Sequence, residues 1–130
     1  TGNGGGVYIS GNGNFIMTGG EINQNEASVG NGGGVYLDSG SYNMSKGIIS
    51  ENESVNGAGA YVTSATFSLT GGSFLKNVAG KNGGGFYIGD NSIVNLSDGE
   101  IGNNIALNGG GFYQTQNGGF LLYLRIFYYF

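Results

Sequence analysis

GGGVYL, residues 32–37, decides the fold because it returns with little change along the chain. Its relatives are GGGVYI at Gly4, GAGAYV at Gly57, GGGFYI at Gly83 and GGGFYQ at Gly109, so successive starts lie 28, 25, 26 and 26 residues apart. A unit of this length is too small to bury an apolar face of its own. A regular period of about 26 residues therefore means coils that stack and share one core.

Aligning the repeats gives three short extended segments per coil, each with the period-2 alternation of a strand. The first is Val7-Tyr8-Ile9, with counterparts centred on Tyr36, Tyr61, Tyr87 and Tyr113. Residues flanking each tyrosine are almost always apolar, which points them inward and sets the tyrosines in an outward row. The second segment is Phe15-Ile16-Met17, matched at Tyr42–Met44, Phe67–Leu69 and Val94–Leu96, again apolar at both outer positions. A hydroxyl (Thr18, Ser45, Thr70, Ser97) and a glycine-bearing corner (Gly20, Gly47, Gly72, Gly99) follow it, and the hydroxyl is placed to bond the turn backbone. The third segment carries Ile22, Ile49, Phe74 and Ile101.

Three residues beyond each of these stands Asn25, Asn52, Asn77 or Asn104, and a second set, Asn31, Asn56, Asn82 and Asn108, precedes the glycine triplets. An inward asparagine needs partners for its amide, and a stack provides them one coil away, giving a hydrogen-bonded ladder. The competing reading places the asparagines in left-handed turn conformations, which Asn tolerates. The first set is read as a structural ladder, while the second stays open between the two.

Composition narrows the function. The chain has 130 residues, enough for one domain, with 30 glycines, no proline and no G-X-Y triplet, which excludes collagen. Eight acids stand against four bases, so no basic patch exists to hold nucleic acid. Cysteine and histidine are absent, which removes thiolate and imidazole ligands, and no cofactor is expected. No apolar run reaches the ~20 residues of a membrane-spanning segment. A start at Thr1, without Met or an apolar leader, is read as a processed protein or a piece of a longer one.

With NGGGVY at 31–36, FIMTGGEI at 15–22, GGEI at 19–22 and FLKN at 74–77, the chain resembles the glycine-rich repeats of bacterial and protist surface proteins, among them polymorphic outer-membrane proteins and adhesin-like chains. The resemblance covers residues 1 to about 119. It implies an all-β fold, a right-handed parallel β-helix of four to five coils, and a secreted or cell-surface location, and it brings no catalytic residues. Residues 120–130, apolar and aromatic, leave the pattern and are read as a cap, a docking segment or an artefact of an incomplete gene.

An enzymatic β-helix needs clustered carboxylates on one outer face. Here Glu21 and Glu100 are three coils apart and Asp38 and Asp90 lie in non-adjacent coils, which leaves Glu51 and Glu53 near Glu26; solvated turn charges are the preferred reading, and the chain is not expected to be an enzyme. No GGxGxD calcium repeat occurs, and the threonines do not recur at one outward position as an ice-binding face would require. The row Tyr8, Tyr36, Tyr61, Tyr87 and Tyr113 is the candidate interaction surface, for self-association or for glycans, against the simpler reading that stacked tyrosines stabilise their sheet. Of three N-x-[ST] sequons, Asn43 and Asn95 face outward and are the possible glycosylation sites, whereas Asn52 belongs to the ladder. The expected function is an extracellular structural β-solenoid forming a homo-oligomer or filament. The alternatives are a carbohydrate-binding or carbohydrate-cleaving β-helix, or a host-adhesion segment of an autotransporter-like protein.

Overall fold

The computed structural model describes residues 2–128, without the side chains of 120–128. The chain is a parallel β-solenoid, with no helix among the described residues, in which successive coils of about 26 residues lie on one another in register. Its first sheet runs in the order β1 (Val7–Ile9), β4 (Val35–Asp38), β7 (Ala60–Thr63), β11 (Phe86–Ile88) and β13 (Phe112–Gln114). Tyr8, Tyr36, Tyr61, Tyr87 and Tyr113 are consecutive partners in it, as the repeat alignment demanded.

The second sheet differs from the sequence reading. The second and third segments are one strand in three of the first four coils: β2 (Asn14–Asn23), β5 (Ser41–Ser50) and β12 (Ile93–Gly102). Only the third coil splits it, into β8 (Thr66–Leu69) and β9 (Ser73–Leu75). The corner glycines Gly20, Gly47, Gly72 and Gly99 all adopt positive φ and let the chain bend there, with pairing resumed beyond the bend, as at Glu21 with Ile48. The hydroxyls of Thr70 and Ser97 reach carbonyls of the preceding coil, Met44 and Leu69, rather than their own turn. A third sheet, β3 (Glu26–Asn31), β6 (Glu53–Asn56) and β10 (Val78–Asn82), forms beyond the first asparagine set. Coils 1 to 3 thus have three faces, and the third lies after the first asparagine set rather than at the segment that carries Ile22, Ile49 and Phe74. The departing tail is not set apart: the main chain of β14 (Gly119–Tyr128) adds a further parallel strand to β12. Tyr129 and Phe130 lie outside the described residues.

Variation in coil length is confined to two places. The turn after the first sheet holds one more residue in coils 1 and 4, and the stretch between the two asparagine sets holds five, three, four and three residues in coils 1 to 4. The block from the second segment to Asn25 and its equivalents has constant length, so the core is built identically at every level.

The core is the space between the sheets. Val35, Leu37, Tyr42, Met44, Ile49, Val62, Phe67, Leu69, Phe74, Phe86, Ile88, Val94, Leu96 and Ile101 are all buried in one cluster. Phe15, Tyr42 and Phe67 stack with ring centres 4.8 and 4.6 Å apart, and Phe67 meets Phe74 and Phe86 in edge-to-face contacts. The Tyr42 hydroxyl donates to the Met17 sulfur at 3.1 Å, which satisfies the polar atom this substitution for phenylalanine brings inside. Phe74 replaces the isoleucine of other coils, and the same coil carries the smallest first-sheet residue, Ala60, so the layer keeps its volume.

Candidate interaction surface and the axial hydrogen-bond array

The asparagine ladders are present. Nδ2 of Asn25 donates to Oδ1 of Asn52 (3.1 Å), Asn52 to Asn77 (3.0 Å) and Asn77 to Asn104 (2.9 Å). Each receiving Oδ1 also takes the main-chain N–H of the preceding asparagine, and the second Nδ2 proton of Asn52, Asn77 and Asn104 goes to the carbonyl of Ile22, Ile49 and Phe74. Asn52 and Asn77 are fully buried with every amide valence used. The left-handed residue is the one before: Gln24, Glu51, Lys76 and Asn103 have φ of 54°, 54°, 57° and 56°. That turn aims the following asparagine inward, and nothing in these side chains announced it.

The second set also forms a ladder, with one bond to each accepting Oδ1. Oδ1 of Asn3, Asn31, Asn56 and Asn82 accepts from Asn31 N, Asn56 Nδ2, Asn82 N and Asn108 Nδ2 in turn. Here the later coil donates to the earlier one, opposite in sense to the first ladder. Left-handed geometry again belongs to a neighbour, the first glycine of each triplet: at Gly32 (φ 69°) a Cβ would sit 2.3 Å from the Val35 carbonyl oxygen.

Along the triplets the main chain is unlike a strand. Gly4, Gly5, Gly6 and Val7 donate their N–H groups to Asn31, Gly32, Gly33 and Gly34 of the next coil, at 2.8–3.1 Å. Gly57, Ala58, Gly59 and Ala60 do the same to Asn82–Gly85, and Gly83–Phe86 to Asn108–Gly111. A strand sends alternate peptides to opposite sides. In the triplets consecutive peptides all face the same way, N–H toward the C-terminal coil and C=O toward the N-terminal one. Nothing in the sequence of the triplets indicates this common orientation.

The tyrosine row is a stack. Ring centres are separated by 5.1, 5.2, 4.4 and 5.1 Å from Tyr8 to Tyr113, with interplanar angles of 9°, 3°, 11° and 25°. Tyr8, at the end, is 55% exposed, and the others are half-buried. Faces of the inner rings are covered by neighbouring rings, so the surface presents ring edges and hydroxyls. Burial, then the neighbouring Tyr87, pushes the Tyr61 phenol up to about 12. Burial likewise raises Tyr36, with Asp38 adding to it, and Tyr87, with Tyr113 adding to it. Asp38 accepts from the Ser39 hydroxyl and Asp90 from that of Thr115, which places the Asp38 carboxylate at the end of its strand and that of Asp90 in the turn after its strand, both downstream of the row.

Among the remaining acids, Glu26 and Glu53 are register partners on the third sheet, flanking a shallow groove of about 330 Å³ that also touches Val55, Val78 and Lys81. Glu51 does not join them, since its left-handed turn carries it to Gln24, whose Nε2 lies 3.4 Å from its carboxylate. Glu21 and Glu100 stay three coils apart, paired with Ile48 and Ser73 respectively. Among the described residues no three His, Cys, Asp or Glu side chains group closely enough to hold a metal ion, and no helix is long and apolar enough to cross a membrane. Of the sequons, Asn43 is exposed, Asn95 half-buried and Asn52 locked in the ladder. No protein-family model, curated protein or solved structure matches the chain.

Proposed function

We propose that the chain is a structural module of a secreted or surface protein, a stiff spacer whose coils self-associate at their ends, and not an enzyme. The observation that carries this reading is the destination of its polar groups. Inside, every buried side-chain nitrogen and oxygen among the described residues is bonded, and the ladders spend those bonds on the next coil. At the terminal coils the same arrangement stops: β1, β2 and β3 are edge strands of their sheets, with Val7, Phe15 and Ile22 only half-covered beside them. Unpaired parallel edges backed by apolar side chains recruit another coil. The stacked tyrosines fit a load-bearing sheet better than a sugar platform, because a pyranose ring needs an open aromatic face and the inner rings offer edges.

Sedimentation velocity across a concentration series, with electron microscopy of the concentrated sample, tests the proposal. Growth into unbranched fibres of constant width with an axial repeat of ~4.8 Å is expected. Particles of monomer mass at every concentration would end it.

A further inference from the structure

Resting on the reading that coils self-associate at their ends, we infer that stacking is exclusively head-to-tail: the Gly109–Gly111 end of one copy binds the Asn3–Gly6 end of a second. The direction is written in the triplets. Their peptides all point N–H toward the C-terminal end, so that end presents the N–H groups of Gly109, Gly110 and Gly111, which no acceptor among the described residues takes. The opposite end presents the carbonyls of Asn3, Gly4, Gly5 and Gly6, to which no described donor is bonded. Placing one on the other repeats the bonding of the Gly83 and Gly109 triplets, whose N–H···O distances are 2.9–3.2 Å. A head-to-head contact sets carbonyl against carbonyl, and a tail-to-tail contact N–H against N–H. Each peptide carries a dipole of about 3.5 D, so the aligned rows repel in both symmetric arrangements.

Two further features point the same way. In the second ladder the later coil always donates to Oδ1 of the earlier one, so Oδ1 of Asn108 is the open acceptor and Asn3, whose N–H and Nδ2 are the corresponding donors, meets it only head-to-tail. The tyrosine stack continues by laying Tyr8 of the second copy on Tyr113, the outermost tyrosine of the first sheet. This is a heterologous contact. It does not close on itself and so produces an open fibre, where a symmetric contact produces dimers and stops.

The chain has no cysteine, so single thiols report polarity directly. Tyr8→Cys and Tyr113→Cys proteins are prepared separately and as an equimolar mixture, then treated with a short bis-maleimide. Stacked head-to-tail, the two positions lie about 4.8 Å apart at Cα, within easy reach of the reagent. The expected result is a crosslinked dimer in the mixture and none in either protein alone. A Tyr8→Cys or Tyr113→Cys homodimer would overturn the polarity while leaving self-association standing. Fibres or large particles by sedimentation with no crosslink in any sample would overturn it too, and monomer mass throughout would remove both readings. Ser10→Cys with Thr115→Cys, one residue beyond the ends of β1 and β13, supplies a second pair if either tyrosine variant misfolds.

Discussion

Replacing Asn77 by alanine is the sharpest test of the first ladder. Its side chain makes four bonds: Nδ2 to Asn104 Oδ1 (2.9 Å) and to the Ile49 carbonyl (3.1 Å), with Oδ1 accepting Asn52 N–H (3.1 Å) and Asn52 Nδ2–H (3.0 Å). Alanine leaves two donors of Asn52 unpaired in a fully buried site and takes one bond from Ile49. Asn104 Oδ1 keeps the main-chain N–H of residue 77. At about 1–3 kcal/mol for each orphaned buried group, the loss comes to about 3–5 kcal/mol once partial relaxation is allowed, a large share of the 5–15 kcal/mol typical of a domain. Asn25→Ala is the internal control. Asn25 is half-buried at the ladder's end, and its side chain gives one bond to Asn52, whose Oδ1 keeps the main-chain N–H of residue 25, so about 1 kcal/mol is expected. Urea titration followed by tyrosine fluorescence reads both. Equal costs at the two positions, or a loss below about 1 kcal/mol at Asn77, would refute the argument that inter-coil amide bonds hold the stack.

The remaining predictions concern backbone, core, pH and surface. Gly32→Ala combines a left-handed φ of 69° with a Cβ 2.3 Å from a carbonyl oxygen and should cost more than the ~1–2 kcal/mol of the conformation alone, whereas Gly11→Ala, left-handed in open space, should cost only that amount, and Gly19→Ala almost nothing; thermal melts rank them. Phe67→Ala should cost about 3–5 kcal/mol by urea titration, because it removes the ring against which Tyr42, Phe74 and Phe86 pack. Because the folded Tyr61 phenol ionises near 12 and the unfolded one near its ordinary 10.0, the unfolded chain loses its proton first as pH rises; stability is intact below pH 10 and falls between 10 and 12, with the raised Tyr36 and Tyr87 adding to the loss, as tyrosinate absorbance and circular dichroism together should show. Expression in a glycosylating secretory host should place sugar on exposed Asn43 and none on buried Asn52, as peptide mass mapping will read.

Much of this fold was legible because repetition multiplies weak signals. One Val-Tyr-Ile is uninformative; five at near-constant spacing fix the register of the whole first sheet, and the inward and outward assignments around Tyr36 and Tyr61 follow from alternation alone. Asn25, Asn52, Asn77 and Asn104 were readable because an inward amide has few ways to be satisfied, and a stack is one of them. Backbone direction was not readable. Gln24, Glu51, Lys76 and Asn103 share a left-handed turn but no side-chain type, so the conformation is imposed by the bonds on either side. The joining of the second and third segments through Gly20 and Gly47 escaped for a related reason: a glycine suits a sharp corner and a bend within a strand equally well. The common orientation of the triplet peptides is likewise a property of bonding between coils, and no residue type encodes it.

Distances along the tyrosine row test the stack itself. Nitroxide pairs at residues 8 and 61, 8 and 87, and 8 and 113, introduced through paired cysteine substitutions into this cysteine-free chain and diluted with unlabelled protein, should give backbone separations rising by ~4.8 Å per coil, to about 10, 14 and 19 Å. Separations that do not climb in equal steps with coil number would contradict the in-register solenoid on which every conclusion above is built.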